Sequence, residues 1–284
     1  MSATQYTLSL ACADQPGIVF TVSRFILNSG GNILESQQYD DPLDERFFMR
    51  VQFEVAGASD LDLLRRACGE EVAPYAMEWQ LHDTTRRTRT LIMVSRFGHC
   101  LNDLLYRWTM GELNIEIAGV VSNHTDFEDL IRSHGLDFHH IPVTPDTKPA
   151  AEAELLSLVE SRDVDLVVLA RYMQVLSDDA SKALDGRAIN IHHSFLPSFK
   201  GARPYDQAHQ RGVKLVGATA HYVTAHLDEG PIIEQDVVRV DHRLQASQLV
   251  SAGRDVESRV LSKAVRWHCE NRVLLNGHRT VVFS

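Results

Sequence analysis

Near-continuous apolar runs separated by predicted helices place the strongest constraint on the fold of this chain. Residues 90–95 (TLIMVS) and 165–170 (DLVVLA) are almost wholly apolar. Strands that are buried on both faces of a parallel sheet have this composition, because helices cover both faces. From residue 90 onward we therefore predict a doubly wound, mostly parallel α/β sheet, in which ligands bind beyond the carboxyl ends of the strands.

Period and turn signals give the individual elements of this region. The predicted strands are residues 90–95, 115–121, 138–143, 165–170, 188–192, 216–223 and 231–240. The predicted helices are residues 100–110, 127–134, 150–160 and 249–269, and an apolar tail follows at 280–283.

The first 83 residues have a different pattern, which is typical of a smaller α+β domain. Strand signals alternate with helical spacing in the order β-α-β-β-α-β, which predicts a ferredoxin-like unit. Residues 84–89 have no apolar period, and we interpret them as an exposed linker between domains 1–83 and 90–284. The predicted elements are strands 6–12, 33–39, 47–55 and 77–81, and helices from Ile18 to before Gly30 and over 61–72.

Composition limits the classes of function. The chain has 44% hydrophobic and 23% charged residues, no apolar run of membrane-spanning length and no secretory signal. Its net charge of −10 argues against nucleic acid as a partner. Four scattered cysteines without a C-x-x-C motif predict reduced thiols and a cytoplasmic location.

Asn190 and His192 form the first candidate catalytic pair. Residues two apart in a strand share a face, and Pro197 then ends the regular structure. An amide beside an imidazole can stabilise negative charge on a carbonyl oxygen. Asp228, before the Gly230-Pro231 turn, adds a carboxylate that could converge on the same centre. Each residue also has a structural alternative: an amide bonded to its own backbone, a packed core histidine and a turn-forming aspartate.

Four histidines also suggest a metal site, namely His192, His193, His221 and His226. His192 and His193 are adjacent, so in a strand they would point to opposite faces. No H-E-x-x-H motif or clustered carboxylates accompany them. We therefore predict no metal.

Two separated motifs resemble the formyltransferase family that uses 10-formyltetrahydrofolate. They are NIH at 190–192, followed by SFLP at 194–197 and KG at 200–201, and LDEGP at 227–231. The resemblance implies that Asn190 donates to the formyl oxygen and that His192 stabilises the oxyanion or supplies a proton. It also implies that Asp228 orients or deprotonates the attacking group and keeps His192 charged.

The same resemblance implies the folate site. The folate would be the substrate, so the reaction needs no cofactor. Ordinary core packing is the alternative for residues 173–176, because apolar residues after a strand are usually buried. The implied substrate-binding residues are Met173, Gln174, Val175, Leu176, Leu196, Ala225 and Leu227.

The turn at residues 14–18 (DQPGI) and Asn32 after paired glycines resemble the ACT domain, a small-molecule-sensing module. This resemblance implies an amino-acid effector near Asp14, Gly17 and Asn32, bound across a pair of domains, and hence a homo-oligomer. Free N–H groups at a helix start suit a carboxylate. Glycine or methionine is the hypothesised ligand. In the alternative, Asp14 is only a helix N-cap and Pro16 a first-turn proline.

The nucleophile is the remaining question, because family members pass the formyl group to amines or to water. Residues 95–100 (SRFGHC) depart from the glycine- and serine-rich loop that cradles the acceptor phosphate in transformylases, and the acidic chain does not suit a tRNA acceptor. A sensor-like N-terminal domain and KGARPY at 200–205 resemble the branch that hydrolyses 10-formyltetrahydrofolate to tetrahydrofolate and formate. That activity would belong to one-carbon metabolism and purine biosynthesis. The alternatives are transfer to an amine acceptor and a sensor that binds folate without turnover.

Overall fold

The structure, a computed structural model, describes residues 3–57, 60–196 and 204–284. Residue contacts divide the chain into two compact units. The first comprises Met1–Arg87, Glu270–Asn276 and Thr280–Ser284, and the second comprises Thr88–Cys269 and Gly277–Arg279. Among the described residues, no helix combines the length and the apolar character that crossing a membrane requires.

The first unit is built on a four-stranded antiparallel sheet in the order β2-β3-β1-β4. Alternate residues of β1 and β3 pack against both helices, with Phe25 and Phe53 in edge-to-face contact at 6.1 Å. The predicted ferredoxin-like order is thus confirmed. The elements are β1 (Ala3–Ala13), α1 (Ile18–Asn28), β2 (Gly31–Asp41), β3 (Arg46–Ala56), α2 (Leu61–Val72) and β4 (Glu78–Asp83).

The start of α1 differs from the capping alternative. Gly17, not Asp14, is the N-cap residue, and its φ of 99° lies in the left-handed region. A Cβ at Gly17 would fall 2.5 Å from the Tyr75 hydroxyl oxygen. Glycine is therefore required here by both backbone conformation and space, and Pro16 precedes the helix instead of lying in its first turn.

Most of the C-terminal segment, residues 270–276 and 280–284, groups with the first unit, whereas the sequence prediction placed it in the second domain. Its two strands, β12 (Val273–Asn276) and β13 (Arg279–Val282), form a two-stranded sheet. Buried Asn276 donates from Nδ2 to Asp41 Oδ2 at 2.8 Å and to Asp44 Oδ2 at 3.0 Å. These long-range bonds could not be read from the local pattern.

The second unit contains a seven-stranded sheet in the order β11-β10-β9-β8-β5-β6-β7. Strands β5 to β9 pair in parallel, whereas β10 and β11 are antiparallel additions. This confirms the predicted doubly wound, mostly parallel fold. The elements are β5 (Thr88–Val94), α3 (His99–Thr109), β6 (Ile115–Ser122), α4 (Glu128–Ser133), β7 (Phe138–His140), α5 (Lys148–Ser161), β8 (Leu166–Leu169), α6 (Asp178–Ala183), β9 (Ala188–His192), α7 (Pro204–Gln210), β10 (Leu215–Tyr222), β11 (Ile232–Arg239) and α8 (Ala246–Cys269).

Some predicted bounds differ from the structure. β5 already begins at Thr88, so the connection between the units is shorter than the predicted linker at 84–89. β7 ends at His140 instead of residue 143. The short helices α6 and α7 were not predicted, because six or seven residues carry too little periodicity to separate a helix from a loop.

Candidate active site

The end of β9 carries two of the predicted catalytic residues. β9 pairs antiparallel to β10, with Asn190 opposite His221 and His192 opposite Thr219. Directly opposite residues in an antiparallel pair present their side chains on the same face. The register therefore gathers an amide, two imidazoles and a hydroxyl on one patch of the sheet.

Asp228 lies between two imidazoles. Its Oδ2 is 3.2 Å from His192 Nδ1, and its Oδ1 is 3.7 Å from His221 Nε2. Asp228 adopts a left-handed backbone conformation with φ of 56°, which is uncommon for a residue with a side chain. The structure thus brings together the three residues predicted to be catalytic, and adds His221.

The turn after Asp228 is fixed by a close backbone approach. A Cβ at Gly230 would fall 1.8 Å from the carbonyl oxygen of Tyr222. The amide of Tyr222 also donates to the carbonyl of Pro231 at 2.9 Å. Only glycine fits at this position, so the Gly-Pro turn sets where the Asp228 carboxylate lies.

Hydrogen bonds define the charge states in this cluster. His221 Nδ1 lies 2.8 Å from the carbonyl oxygen of Tyr222, and because a carbonyl only accepts, Nδ1 carries a proton. His221 Nε2 is 3.3 Å from Asn190 Nδ2. Burial alone would raise the pKa of Asp228, but the neighbouring imidazoles of His192 and His221 outweigh it and hold that pKa well below its usual range. Asp228 is therefore a carboxylate at neutral pH.

His193 does not lie as predicted. β9 ends at His192, so the two adjacent histidines do not point to opposite faces but stack, with ring centroids 4.8 Å apart and planes 26° apart. Burial, together with Arg171 and His192, lowers the pKa of His193 to about 4. His193 is thus a neutral imidazole at physiological pH.

An open cavity of about 230 Å³ lies beside this cluster, and six of the seven predicted substrate-binding residues line it. Met173, Val175 and Leu227 are 51%, 55% and 62% exposed, which excludes the core-packing alternative for Met173 and Val175. Contiguous exposed apolar side chains mark binding surfaces. The residues lining the cavity include Met173, Gln174, Val175, Leu176, Asn190, His192, His193, His221, Ala225, Leu227 and Asp228.

Leu196 is the exception among the predicted substrate-binding residues, since it does not line this cavity. Its backbone is held from outside the cavity: its amide donates to Thr219 Oγ1 at 3.1 Å, and its carbonyl accepts from Gln235 Nε2 at 3.0 Å. Leu196 thus anchors the segment after β9. The other motif residues named after it, from Pro197 to Arg203, lie outside the described residues.

Comparison with known proteins decides the family. Residues 88–265 match the Formyl transferase family. The formyltetrahydrofolate deformylase of Corynebacterium sp. (strain P-1) is 55% identical over 98% of both chains. The chain belongs to the formyltetrahydrofolate deformylase family.

Solved structures agree with this assignment along the whole length. The deformylase crystal structure from Burkholderia mallei matches with a TM-score of 0.95 and 52% identity, covering 99% of this chain and 100% of that one. The glycinamide ribonucleotide transformylase 1 of Symbiobacterium toebii matches with a TM-score of 0.65 and 32% identity, over 70% of this chain and 95% of its own. The likeness to the deformylase family therefore includes the first unit, and the likeness to the transformylase does not extend over the whole chain.

The predicted effector residues of this deformylase-family chain are not adjacent within one subunit. Asp14 and Gly17 follow the end of β1, where Ala13 pairs with Arg46, whereas Asn32 pairs with Glu54 at the other end of β3. Eight residues of strand separate these levels, or about 26 Å at ~3.3 Å per residue. The Asn32 amide lies 3.5 Å from Glu54 Oε1.

Sequence reasoning missed His221 as a partner of the catalytic cluster and treated it only as a possible metal ligand. Its alternation with Thr219 along β10 is visible in the sequence. The register that sets it opposite Asn190 is not, because antiparallel pairing depends on the whole sheet.

Proposed function

We propose that this chain hydrolyses 10-formyltetrahydrofolate to tetrahydrofolate and formate. The observation that carries the proposal is the convergence of Asn190, His192 and the Asp228 carboxylate on one cavity rimmed by exposed apolar side chains. Family membership supports the folate, and the apolar rim formed by Met173, Val175 and Leu227 suits its flat pterin ring.

The reaction begins with water held near Asp228. As the water oxygen attacks the formyl carbon, its proton passes to His192, whose positive charge the Asp228 carboxylate then stabilises, and the formyl oxygen becomes an oxyanion. The Asn190 amide and His192 donate hydrogen bonds to this oxygen. Donors placed where charge develops are typically worth roughly 10²–10³ each in rate.

Collapse of the tetrahedral intermediate completes the reaction. The bond between the formyl carbon and N10 breaks, N10 takes up the proton that His192 received from water, and formate and tetrahydrofolate leave. Asp228 stays ionised throughout, because its low pKa makes it a better electrostatic partner for a protonated His192 than a lasting proton acceptor. This chemistry requires neither a metal nor a cofactor.

The first experiment measures turnover of 10-formyltetrahydrofolate with no amine present. Stoichiometric formate and tetrahydrofolate are expected. Tight folate binding without release would contradict hydrolysis and point to an amine acceptor or a folate sensor.

A pair of matched variants tests the residue roles. Asp228→Asn should lower kcat by roughly 10²–10³ while folate still binds. Asp163→Asn is the control, because Asp163 also has a left-handed conformation with φ of 46° but does not line the cavity. Equal losses of kcat in both variants would show that the loss comes from replacing an aspartate with a left-handed backbone, and not from removing the Asp228 carboxylate from the cavity.

We also propose that an amino acid regulates the reaction through the first unit. Asp14 and Gly17 lie at one end of its sheet and Asn32 at the other, so a site using all three needs two subunits. The homo-oligomer that such a site would need is part of the proposal. Equilibrium dialysis of the full chain with labelled glycine and methionine, together with sedimentation equilibrium, tests both ideas; no binding and a monomeric mass would contradict them.

The cytoplasmic location stays a prediction from the cysteines. All four, Cys12, Cys68, Cys100 and Cys269, are buried free thiols in the structure.

A further inference from the structure

The strand order in the sheet of the second unit reverses at β5, close to the catalytic cavity. From β5 the chain continues to β6 on one side, whereas β8 lies on the other side. In doubly wound sheets this reversal of strand order opens a crevice beyond the carboxyl ends of the two strands, which is the usual place for a ligand. The catalytic cluster lies one strand further along, at the end of β9.

The loops that border this crevice are tied together. The amide of Ser95, after β5, donates to the carbonyl of Arg171, after β8, at 3.3 Å. Ser95 Oγ donates to Asn123 Oδ1 at 2.7 Å and accepts from the amide of Met173 at 3.0 Å. The position of Arg171 is thereby fixed relative to the cavity-lining residues that follow it.

A buried ion cluster lies at the carboxyl ends of β5 and β8. Glu257, on α8, is 1% exposed, and its Oε2 lies 2.7 Å from His99 Nε2 and 3.3 Å from Arg171 Nε. The Arg171 side chain is only 11% exposed. The guanidinium carbons of Arg171 and Arg254 lie 5.6 Å and 5.5 Å from the centre of the Phe97 ring.

The start of α3 within this crevice is also packed. Helix starts in such crevices commonly hold phosphate through their free N–H groups. Here the first residue of α3 is His99, which is engaged with Glu257, and a Cβ at Gly98 would fall 2.5 Å from the Phe127 ring. Bulky side chains thus pack against the helix start at which doubly wound sheets commonly hold a phosphate.

The same cluster is poorly suited to binding a metal ion. Ligand atoms of His99, Cys100 and Glu257 lie within 4.8 Å of one another. However, burial and the nearby Glu257 raise the pKa of the Cys100 thiol, and metals bind the thiolate. The Arg171 guanidinium already provides positive charge beside Glu257.

Arg171 has an unusual backbone conformation. Its φ of 65° lies in the left-handed region, which glycine adopts freely and a long side chain does not. Strained residues of this kind cluster at functional sites. Arg171 also lines the catalytic cavity, and its guanidinium pairs with Glu257, so one residue links the cavity to the ion cluster.

We propose that Arg171, held by Glu257 and flanked by Phe97 and His99, closes the crevice at the ends of β5 and β8 to an amine acceptor and thereby reserves the formyl carbon for water. An amine acceptor needs room for its whole body beside the formyl carbon, whereas water occupies only about 30 Å³. The inference rests on the proposed hydrolysis and names the residues that prevent formyl transfer.

The test measures how the formyl group divides between water and an added amine. The enzyme is supplied with formyl-labelled 10-formyltetrahydrofolate and glycinamide, and labelled formate and N-formylglycinamide are separated. In transfer, the bond from carbon to N10 breaks, a bond to the glycinamide nitrogen forms, and the amine proton passes to N10. The product ratio is counted per turnover, so it does not depend on the amount of active enzyme.

Arg171→Gly removes the guanidinium side chain and relieves the strained backbone at this residue. We expect wild type to yield only formate, and the variant to raise the ratio of N-formylglycinamide to formate by about tenfold or more over the background reaction. Asp163→Gly is the matched control, because it relieves a left-handed residue away from the crevice and should not change the ratio.

Removing Arg171 leaves Glu257 with less compensating charge, so Arg171→Gly/Glu257→Gln serves as a second variant, in which both charges of this ion pair are removed. An unchanged ratio in a folded variant that still turns over would overturn the proposal. So would N-formylglycinamide production by wild type, a result that needs no variant to fold. Absence of formate from wild type without amine would instead refute the proposed hydrolysis.

Discussion

Replacing Gly230 by alanine should both destabilise the second unit and displace Asp228. The added Cβ would lie 1.8 Å from the Tyr222 carbonyl oxygen and 3.2 Å from His221 Nδ1, where real Cβ atoms stay beyond 3.0 Å. The opposing atom is backbone in β10, so the turn itself must move by more than an ångström.

The size of the effect follows from three contributions. Overpacking of this kind costs about 1–3 kcal/mol. Weakening the bond from the Tyr222 amide to the Pro231 carbonyl adds ~0.5–1.5 kcal/mol. The lower entropy of the unfolded alanine chain offsets about 0.4–1 kcal/mol. We expect a net loss of about 2–3 kcal/mol in the free energy of unfolding.

Catalysis should suffer separately from stability. A displacement of about 1 Å at a reacting group can cost ~10²-fold in rate. The assay combines urea denaturation, followed by circular dichroism, with formate release measured where the variant is fully folded. If the unfolding free energy of Gly230→Ala lay within ~0.5 kcal/mol of wild type and its kcat within about twofold, the claim that this turn requires glycine and positions Asp228 would be refuted.

Gly69→Ala provides the contrast for the same substitution. Gly69 lies inside α2 and its Cβ would meet only Trp79 at an ordinary 3.5 Å. Because alanine favours a helix interior over glycine, this variant should gain about 0.5–1 kcal/mol in unfolding free energy. Opposite signs at the two glycines are the expected result.

Three further changes should have measurable effects. The pKa of Asp228 is lower in the folded chain than its usual 3.8. The ionised carboxylate therefore contributes its full stabilisation above pH 3.8, and this stabilisation is lost as the pH falls through the folded pKa. Below about pH 4, urea titrations should show that the unfolding free energy falls more steeply for wild type than for Asp228→Asn. Leu227→Ser removes an apolar side chain from the cavity rim and should raise KM for the folate several-fold with little change in kcat, and an unchanged KM would exclude folate contact. Asn276→Ala removes one hydrogen-bond donor from each of the carboxylates of Asp41 and Asp44 and should cost the first unit ~1–3 kcal/mol by urea denaturation, so an unchanged midpoint would contradict the observed bonds.

Elements with a strong period were predictable from the sequence. The strand at 188–192 and the helix at 61–72 have their predicted bounds in the structure. Both are set by side-chain alternation or helical spacing, which depends on covalent geometry over a few residues. The position of the C-terminal strands could not be predicted in this way, because it depends on hydrogen bonds such as that from Asn276 to Asp41, more than two hundred residues away.

Within the site, the sequence alone determined that Asn190 and His192 share a face, since they lie two apart in one strand, and that Asp228 precedes a sharp turn at Gly230. Only the tertiary structure decided that Asp228 lies between His192 and His221, and that Glu257 on α8 holds Arg171 beside the cavity. The physical reason is that strand register and helix docking minimise the free energy of the whole sheet and core, and no local stretch of sequence contains those contacts.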